Sequence, residues 1–130
     1  MPGAQDLISA VRAKHVEAVN STDVDRLLSG MTDDVVYLAP DLPPIRGKTA
    51  VRTFVAPIYE RSAINISMVA ESLDVSGSRA VEWGHVHGTL AMDGGAAQPI
   101  SLKYLFVYRL ESDGSWRISH DISNQAAATT

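Results

Sequence analysis

The fold is decided by the stretch Lys103-Tyr-Leu-Phe-Val-Tyr-Arg-Leu-Glu-Ser-Asp-Gly-Ser-Trp-Arg-Ile-Ser-His-Asp-Ile-Ser-Asn124. It contains two runs rich in aromatic and β-branched residues, which suit a pleated sheet. Between them lies Ser112–Ser115, where an Asp-Gly pair tolerates the positive φ of a tight turn. The pattern predicts a β-hairpin whose second strand begins at Trp116.

Alternation along the second strand predicts two different faces, because successive side chains of a strand point to opposite sides. One face would carry Trp116, Ile118, His120 and Ile122, and the other Arg117, Ser119, Asp121 and Ser123. We expect the polar face to border a cavity, with Asp121 as its proton-transfer group and Ser119 beside it. Desolvation raises the pKa of a carboxyl group toward the range where it exchanges protons. The alternative is an exposed Asp121, or one paired with an arginine.

Composition narrows the class of protein. A length of 130 residues suits one domain, over residues 1–130. The net charge of −4 argues against a nucleic-acid partner, because phosphate binding needs a basic surface. The sequence contains no cysteine, and no apolar run reaches the roughly 18 residues of a membrane span. We therefore expect a cytoplasmic protein with no membrane partner.

The remaining pattern predicts helices first and hairpins later, which is typical of an α+β domain. The predicted helices are Ala4–Asn20, Val24–Met31 and Thr49–Arg61, and the predicted strands before the last one are 33–40, Ile64–Val75, Arg79–Met92 and Ile100–Leu110. Four or five antiparallel strands curled around a long helix would leave a cavity between sheet and helices. Apolar residues on both faces of the last strands favour a homodimer through the outer face.

Several segments in this order resemble a known superfamily. They are His15–Asp25, Met31–Pro40, Pro43–Gly47 and Asp113–Ile118. The resemblance is to the nuclear-transport-factor-2-like superfamily, in its ketosteroid-isomerase and SnoaL-like polyketide-cyclase branches. It implies a cone-shaped α+β domain, in which a curved antiparallel sheet wraps around three N-terminal helices and encloses a pocket. It also implies a homodimer that binds a small apolar molecule and acts without a metal or other cofactor.

Residue by residue, the resemblance favours the cyclase branch. The isomerase positions for the oxyanion tyrosine, the general base and the second acid fall on His15, Ala39 and Phe106. Since alanine and phenylalanine cannot exchange protons, we do not expect ketosteroid isomerisation. The cyclase aspartate lies seven residues after the hairpin glycine, and this spacing leads from Gly114 to Asp121. The histidine that accompanies it in cyclases would fall on Phe106 or its neighbour and is missing.

The other catalytic candidates are histidines. His85 and His87 are two residues apart on a predicted strand and share a face with Trp83, so they would supply an acid or electrophile near neutral pH. The alternative is hydrogen bonding within a dimer face, and a metal site is not expected because no third ligand lies nearby. His15 lies on the apolar stripe of the first helix, as a core residue or, by the resemblance, a pocket donor.

The expected substrate-binding residues are mostly aromatic, with simple core packing as the alternative. They are Tyr37, Phe54, Trp83, Tyr104, Phe106 and Ser119. The leading hypothesis is a small cofactor-independent enzyme of the cyclase or isomerase type, which performs acid–base chemistry on an apolar carbonyl or polyketide-like compound. The alternatives are a non-catalytic ligand-binding or dimerisation module, and an epoxide hydrolase. The last would need a second acid, for which Glu82 is the only mid-strand candidate.

Overall fold

The computed structural model describes residues 3–126. Its helices are α1 (Ala4–Asn20), α2 (Val24–Ser29) and α3 (Lys48–Arg61), and its strands are β1 (Met31–Leu38), β2 (Ile45–Arg46), β3 (Ser62–Ser76), β4 (Arg79–Met92), β5 (Gln98–Leu110) and β6 (Trp116–Gln125). Both α1 and β4 begin and end at the predicted residues. Helix α2 is shorter than predicted, because Met31 already begins β1. No helix in this described range is long and apolar enough to cross a membrane.

The strands form one six-stranded sheet in the order β2-β1-β6-β5-β4-β3. Strands β3 to β6 are joined by sequential antiparallel pairings, as predicted. Strand β1 pairs with β6 in parallel, which corrects the expectation of a purely antiparallel sheet. The two-residue strand β2 was not predicted, and it pairs with β1 after the proline-containing loop. The helices pack on one face of this sheet, which we call the inner face.

Helix α1 is tied to the edge strand β3 by Asn20. Its side chain accepts a hydrogen bond from the Ile66 N–H at 2.7 Å and donates one to the Ile66 carbonyl at 3.0 Å. An edge strand otherwise leaves such backbone groups unpaired. The contact holds the C-terminal end of α1 against the sheet, and so fixes one wall of the space between them.

Two glycines of β4 allow its backbone to approach that of β3 closely. A Cβ atom added to Gly84 would lie 2.0 Å from the Val69 carbonyl oxygen, and one added to Gly88 would lie 1.9 Å from that of Asn65. These distances exclude any side chain at either position without a backbone shift. The close approach of the two backbones therefore requires glycine at both positions.

A β-bulge interrupts the alternation of β6 at Ser119. Tyr108 of β5 pairs with Ile118, and the preceding Val107 pairs with His120, so that Ser119 has no residue opposite. Its hydroxyl donates a hydrogen bond to the Val107 carbonyl at 3.2 Å. An extra residue of this kind reverses the facing of every residue beyond it.

The bulge places Asp121 on the same inner face as Trp116 and Ile118, all three of which are buried. The predicted division of β6 into an apolar face and a face carrying Asp121 is therefore wrong. Strict alternation would have turned His120 inward, whereas the extra residue turns the carboxyl group inward instead.

Candidate functional site

A cavity of about 230 Å³ lies between the helices and the inner face of the sheet. This volume is small beside the 300–1,000 Å³ typical of ligand pockets, so it suits a small molecule. Most of the lining is aliphatic and aromatic. The lining residues with a polar side-chain group are His15, Tyr37, Tyr59, Tyr104, Asp121 and Ser123.

Among the described residues that line this cavity, Asp121 is the only carboxylic acid. It is 8% exposed, and burial raises the pKa of its carboxyl group to about 7. An apolar enclosure disfavours the charged form, because the carboxylate loses the water that would solvate it. Both protonation states are thus accessible near neutral pH, as a group that takes and returns a proton requires.

Pairing between strands sets Asp121 in a row of side chains across the sheet. Glu82 of β4 pairs with Phe106 of β5, Phe106 with Asp121 of β6, and Asp121 with Tyr37 of β1. Tyr37 also packs against Phe54 of α3, with ring centroids 5.9 Å apart. Asp121 is therefore flanked by an apolar ring on one side and a phenol on the other.

A second phenol, Tyr59, comes to this site from the last turn of α3. Burial, followed by the nearby charge of Asp121, raises the pKa of both Tyr37 and Tyr59. Both hydroxyls consequently stay protonated at neutral pH and are available as hydrogen-bond donors. Tyr59 was not among the predicted site residues, although it lies four residues after Val55 on the apolar stripe of this helix.

His15 lines the cavity from α1. Its ring packs edge-on against Phe106, with centroids 5.1 Å apart. Burial lowers the pKa of His15 to about 4, so the imidazole is neutral at pH 7. Its Nδ1 atom is buried without a hydrogen-bond partner among the described residues, an arrangement that costs free energy unless a ligand or water satisfies it.

The structure brings six of the ten predicted site residues together around the cavity. They are His15, Tyr37, Phe54, Tyr104, Phe106 and Asp121. Ser119 does not line it, because the bulge turns its hydroxyl to the Val107 carbonyl and to His120 Nδ1 at 2.9 Å. Ser123, which was not selected as a binding residue, lies on the cavity wall instead.

Trp83, His85 and His87 lie on the outer face of the sheet, away from the cavity. Their rings form a row along the strand. The ring centroids of Trp83 and His85 are 6.0 Å apart, and those of His85 and His87 are 5.9 Å apart. His85 Nε2 lies 3.7 Å from the Glu71 carboxylate. This placement corrects the expectation of a pocket role, since their odd positions in β4 point opposite to Glu82 and Val86. Over residues 3–126 no cluster of three or more metal-ligating side chains occurs.

Glu82 is completely buried but lies outside the cavity lining. Its carboxylate accepts hydrogen bonds from Tyr104 at 3.0 Å and Tyr108 at 2.9 Å, and it forms an ion pair with Arg12 of α1. Both carboxylate oxygens of Glu82 are therefore engaged by donors from the protein. The second acid that epoxide hydrolysis would need is not supplied to the cavity by Glu82.

A comparison with protein-family models matches residues 13–118 to the SnoaL-like domain. The chain belongs to the SnoaL-like family. The α+β architecture predicted for this SnoaL-like protein, with its curved sheet around N-terminal helices, is confirmed by the structure and by its similarity to solved structures. No match was found among curated proteins.

Three solved structures illustrate how widely this SnoaL-like fold recurs. A ketosteroid isomerase-like protein from Erwinia carotovora atroseptica is 20% identical with a TM-score of 0.88, and the alignment covers 98% of this chain and 100% of that one. A conserved protein from Planctomyces limnophilus is 26% identical, with a TM-score of 0.85 and coverage of 94% and 97%. A nuclear transport factor 2 (NTF2-like) superfamily protein from Salmonella enterica serovar Typhimurium is 16% identical, with a TM-score of 0.82 and coverage of 97% and 93%. At such identities the likeness concerns the fold.

Proposed function

We propose that this protein is a cofactor-independent acid–base enzyme of the cyclase or isomerase type, acting on a small apolar carbonyl compound. The observation that carries the proposal is Asp121, a buried carboxyl group whose pKa is raised to about 7 by an apolar cavity. Perturbed titration inside a cavity is typical of a catalytic acid or base. The small volume and the aliphatic lining favour a neutral cyclic or aromatic ketone.

In this mechanism the Asp121 carboxylate removes a proton from the carbon next to the carbonyl group. The C–H electron pair becomes the enolate π bond, and negative charge moves to the carbonyl oxygen. In isomerisation the proton returns from Asp121 to another carbon of the conjugated system. In aldol cyclisation the enolate carbon bonds to a second carbonyl carbon, and the proton passes to the resulting alkoxide.

Donors to the enolate oxygen would come from Tyr37, Tyr59 or His15. Both phenols remain protonated and line the cavity together with Asp121. The neutral imidazole of His15 donates through whichever nitrogen carries its proton. Hydrogen bonds aimed at developing charge in a water-poor site stabilise the transition state more strongly than they would in water.

Exchange of the α-protons of 1-tetralone in deuterium oxide tests this mechanism without the natural substrate. We expect enzyme-dependent exchange, followed by proton NMR, that rises with pH and has its midpoint near the Asp121 pKa of about 7. The base must be ionised to act, so the rate falls at lower pH. A midpoint near the ordinary aspartate pKa of about 4 would show that the acting carboxylate is not desolvated. If the protein catalyses no exchange with any of a set of small ketones, the result would favour a non-catalytic ligand-binding module instead.

We further propose that the protein forms a homodimer through the outer face of its sheet. Val69, Val81 and Trp83 are 49%, 43% and 47% exposed there, an apolar surface that a second copy would cover. Light scattering at micromolar concentration should give about twice the chain mass of 14.0 kDa. Trp83→Glu should shift the mass toward the monomer, because it sets a charge in the apolar contact. A monomeric mass for the unmodified protein would contradict the proposal.

A further inference from the structure

A second cavity, of about 320 Å³, lies between the first turns of α1, the end of α2 and the turn joining β5 to β6. It shares His15 and Leu27 with the first cavity, so the two are separated by single side chains. Among its lining residues are Leu7, Val11, Lys14, His15, Arg26 and Trp116. The acid–base mechanism uses none of these except His15.

The apolar part of this lining is substantial. Leu7 and Val11 of α1 contribute one side, and Trp116, which is only 6% exposed, contributes another. An indole presents a large apolar face together with one N–H donor. Such a surface gains free energy when an alkyl or aryl group removes it from water.

The charged part of the lining is entirely positive. Lys14, Arg26 and Arg117 line the cavity, and no aspartate or glutamate does. Arg26 pairs with Glu17 and Arg117 with Asp113, each at 3.0 Å, and neither carboxylate belongs to the lining. Among the described residues, Lys14 forms no ion pair. The cavity therefore combines an apolar floor with an uncompensated positive charge.

We propose that this second cavity binds a small organic monocarboxylate with an apolar tail. The tail packs against Trp116, Leu7 and Val11, while the carboxylate pairs with Lys14 and with the nearby guanidinium groups. An inorganic anion would leave the apolar floor uncovered, and a neutral hydrocarbon would leave the positive charge unpaired.

The probe is 4-phenylbutyrate, and 4-phenylbutan-1-ol is its neutral counterpart. The protein has two tryptophans, whose indole N–H signals in nitrogen-15 NMR spectra are assigned with a Trp83→Phe variant. We expect the Trp116 signal to shift saturably with the acid. The alcohol and inorganic phosphate should each bind at least about tenfold more weakly, because each lacks one of the two interactions.

Lys14→Glu is the deciding variant and Arg46→Glu is its matched control. Arg46 is an exposed cation on β2 that lines neither cavity, so both variants change the net charge equally. Lys14→Glu should weaken phenylbutyrate binding at least about tenfold, whereas Arg46→Glu should change it less than about twofold, since distant exposed charges are screened. Both lie on exposed surface, where such changes rarely disturb folding.

Three results would overturn the proposal: equal binding of acid and alcohol, equal effects of the two variants, or no response at Trp116 at any acid concentration. If the acid shifts NMR signals only at residues of the first cavity, with none at Trp116, that result also counts as no response at Trp116. Because Trp116 and Lys14 do not line the Asp121 cavity, the outcome is independent of the proposed catalytic function.

Discussion

Replacing Asp121 with asparagine should lower the rate of tetralone proton exchange by about 10²- to 10⁴-fold, the usual contribution of a general acid–base group. Asparagine has nearly the same shape as aspartate but cannot accept a proton at neutral pH. The cavity, its phenols and its apolar walls stay in place, so binding of the ketone should change little. The measurement is the exchange rate at saturating ketone and a pH above the midpoint.

Asp74→Asn is the matched control, because Asp74 is exposed on β3 and does not line the cavity. Its exchange rate should equal that of the unmodified protein. If Asp121→Asn keeps more than about a tenth of the rate, the effect is too small for a general base. The reaction would then have to be sought at His15 or the phenols.

The stability of the same variant reports whether Asp121 is desolvated. Burial raises the pKa of Asp121 from 3.8 to about 7, so the folded state holds a proton that the unfolded chain releases. Stability from this group is full below about pH 4 and falls as the pH rises to about 7, by about 4 kcal/mol. Urea denaturation should therefore show Asp121→Asn to be more stable than the unmodified protein at pH 8 and similar to it near pH 3.5.

Over part of this pH range, the protonation of His15 changes the stability in the opposite direction. Burial lowers the pKa of His15 from 6.5 to about 4, so the unfolded chain binds a proton there that the folded protein does not. Stability from His15 is full above about pH 6.5 and falls by about 3 kcal/mol as the pH drops to about 4. The two effects nearly cancel in the unmodified protein. In Asp121→Asn only the histidine contribution remains, so its stability should rise with pH and then level off.

Glu82→Ala should lower the free energy of unfolding by about 3–5 kcal/mol, the usual loss when one member of a buried ion pair is removed. Arg12 would lose its carboxylate, and the hydroxyls of Tyr104 and Tyr108 would lose their acceptor. Each donor left without an acceptor costs roughly 1–3 kcal/mol where water cannot replace it. Arg12 retains some exposure, 20% of its side chain, which reduces its share of the loss.

Urea denaturation at pH 7 measures this loss, with Glu71→Ala as the control. The Glu71 side chain is 43% exposed on the outer side of β3, so its removal should change stability by no more than about 0.5 kcal/mol. Glu82→Gln keeps the shape and one acceptor oxygen and should fall between the two. A loss below about 1 kcal/mol for Glu82→Ala would mean that the buried network does not stabilise the fold.

Asp121 was predictable from its spacing after Gly114, whereas its surroundings were not. The seven-residue spacing, taken from the resemblance to cyclases, leads to the carboxyl group that lines the cavity, but alternation placed it on the face opposite Trp116 and Ile118. Alternation assumes that each residue of a strand has one partner on the neighbouring strand. A bulge adds a residue without a partner, and here no glycine or proline in the sequence indicates where it lies. The backbone geometry at Ser119 depends on its neighbouring strands, which the local sequence does not specify.

The facing of β4 was not predictable for a different reason. Its inner positions include Glu82, Gly84 and Gly88, and its outer positions include Trp83 and His85, so the buried side looks less apolar than the exposed side. Hydrophobic alternation identifies the buried face only when that face is the more apolar one. Burial of Glu82 depends on Arg12, which lies 70 residues away along the chain.

The helix α1 and the final hairpin were predictable because their signals are local. Apolar residues at helical spacing fix α1, and the turn before Trp116 fixes the hairpin. The parallel pairing of β1 with β6 has no such signal, since it joins segments about 85 residues apart. Short β2 is likewise defined by its neighbour β1 and not by its own two residues.

Because Ser119 is an extra residue in β6, the position of the bulge decides which side chain of this strand faces the cavity. If Ile118 to Asp121 ran as a regular strand, an imidazole would replace the carboxyl group in the cavity without any change in amino-acid composition. Deleting Ser119, by contrast, would leave the carboxyl group facing inward on an unbulged strand. The bulge at Ser119 therefore decides whether a carboxyl group or an imidazole reaches the cavity, and a local change of strand register there can alter the reactive group as thoroughly as a substitution.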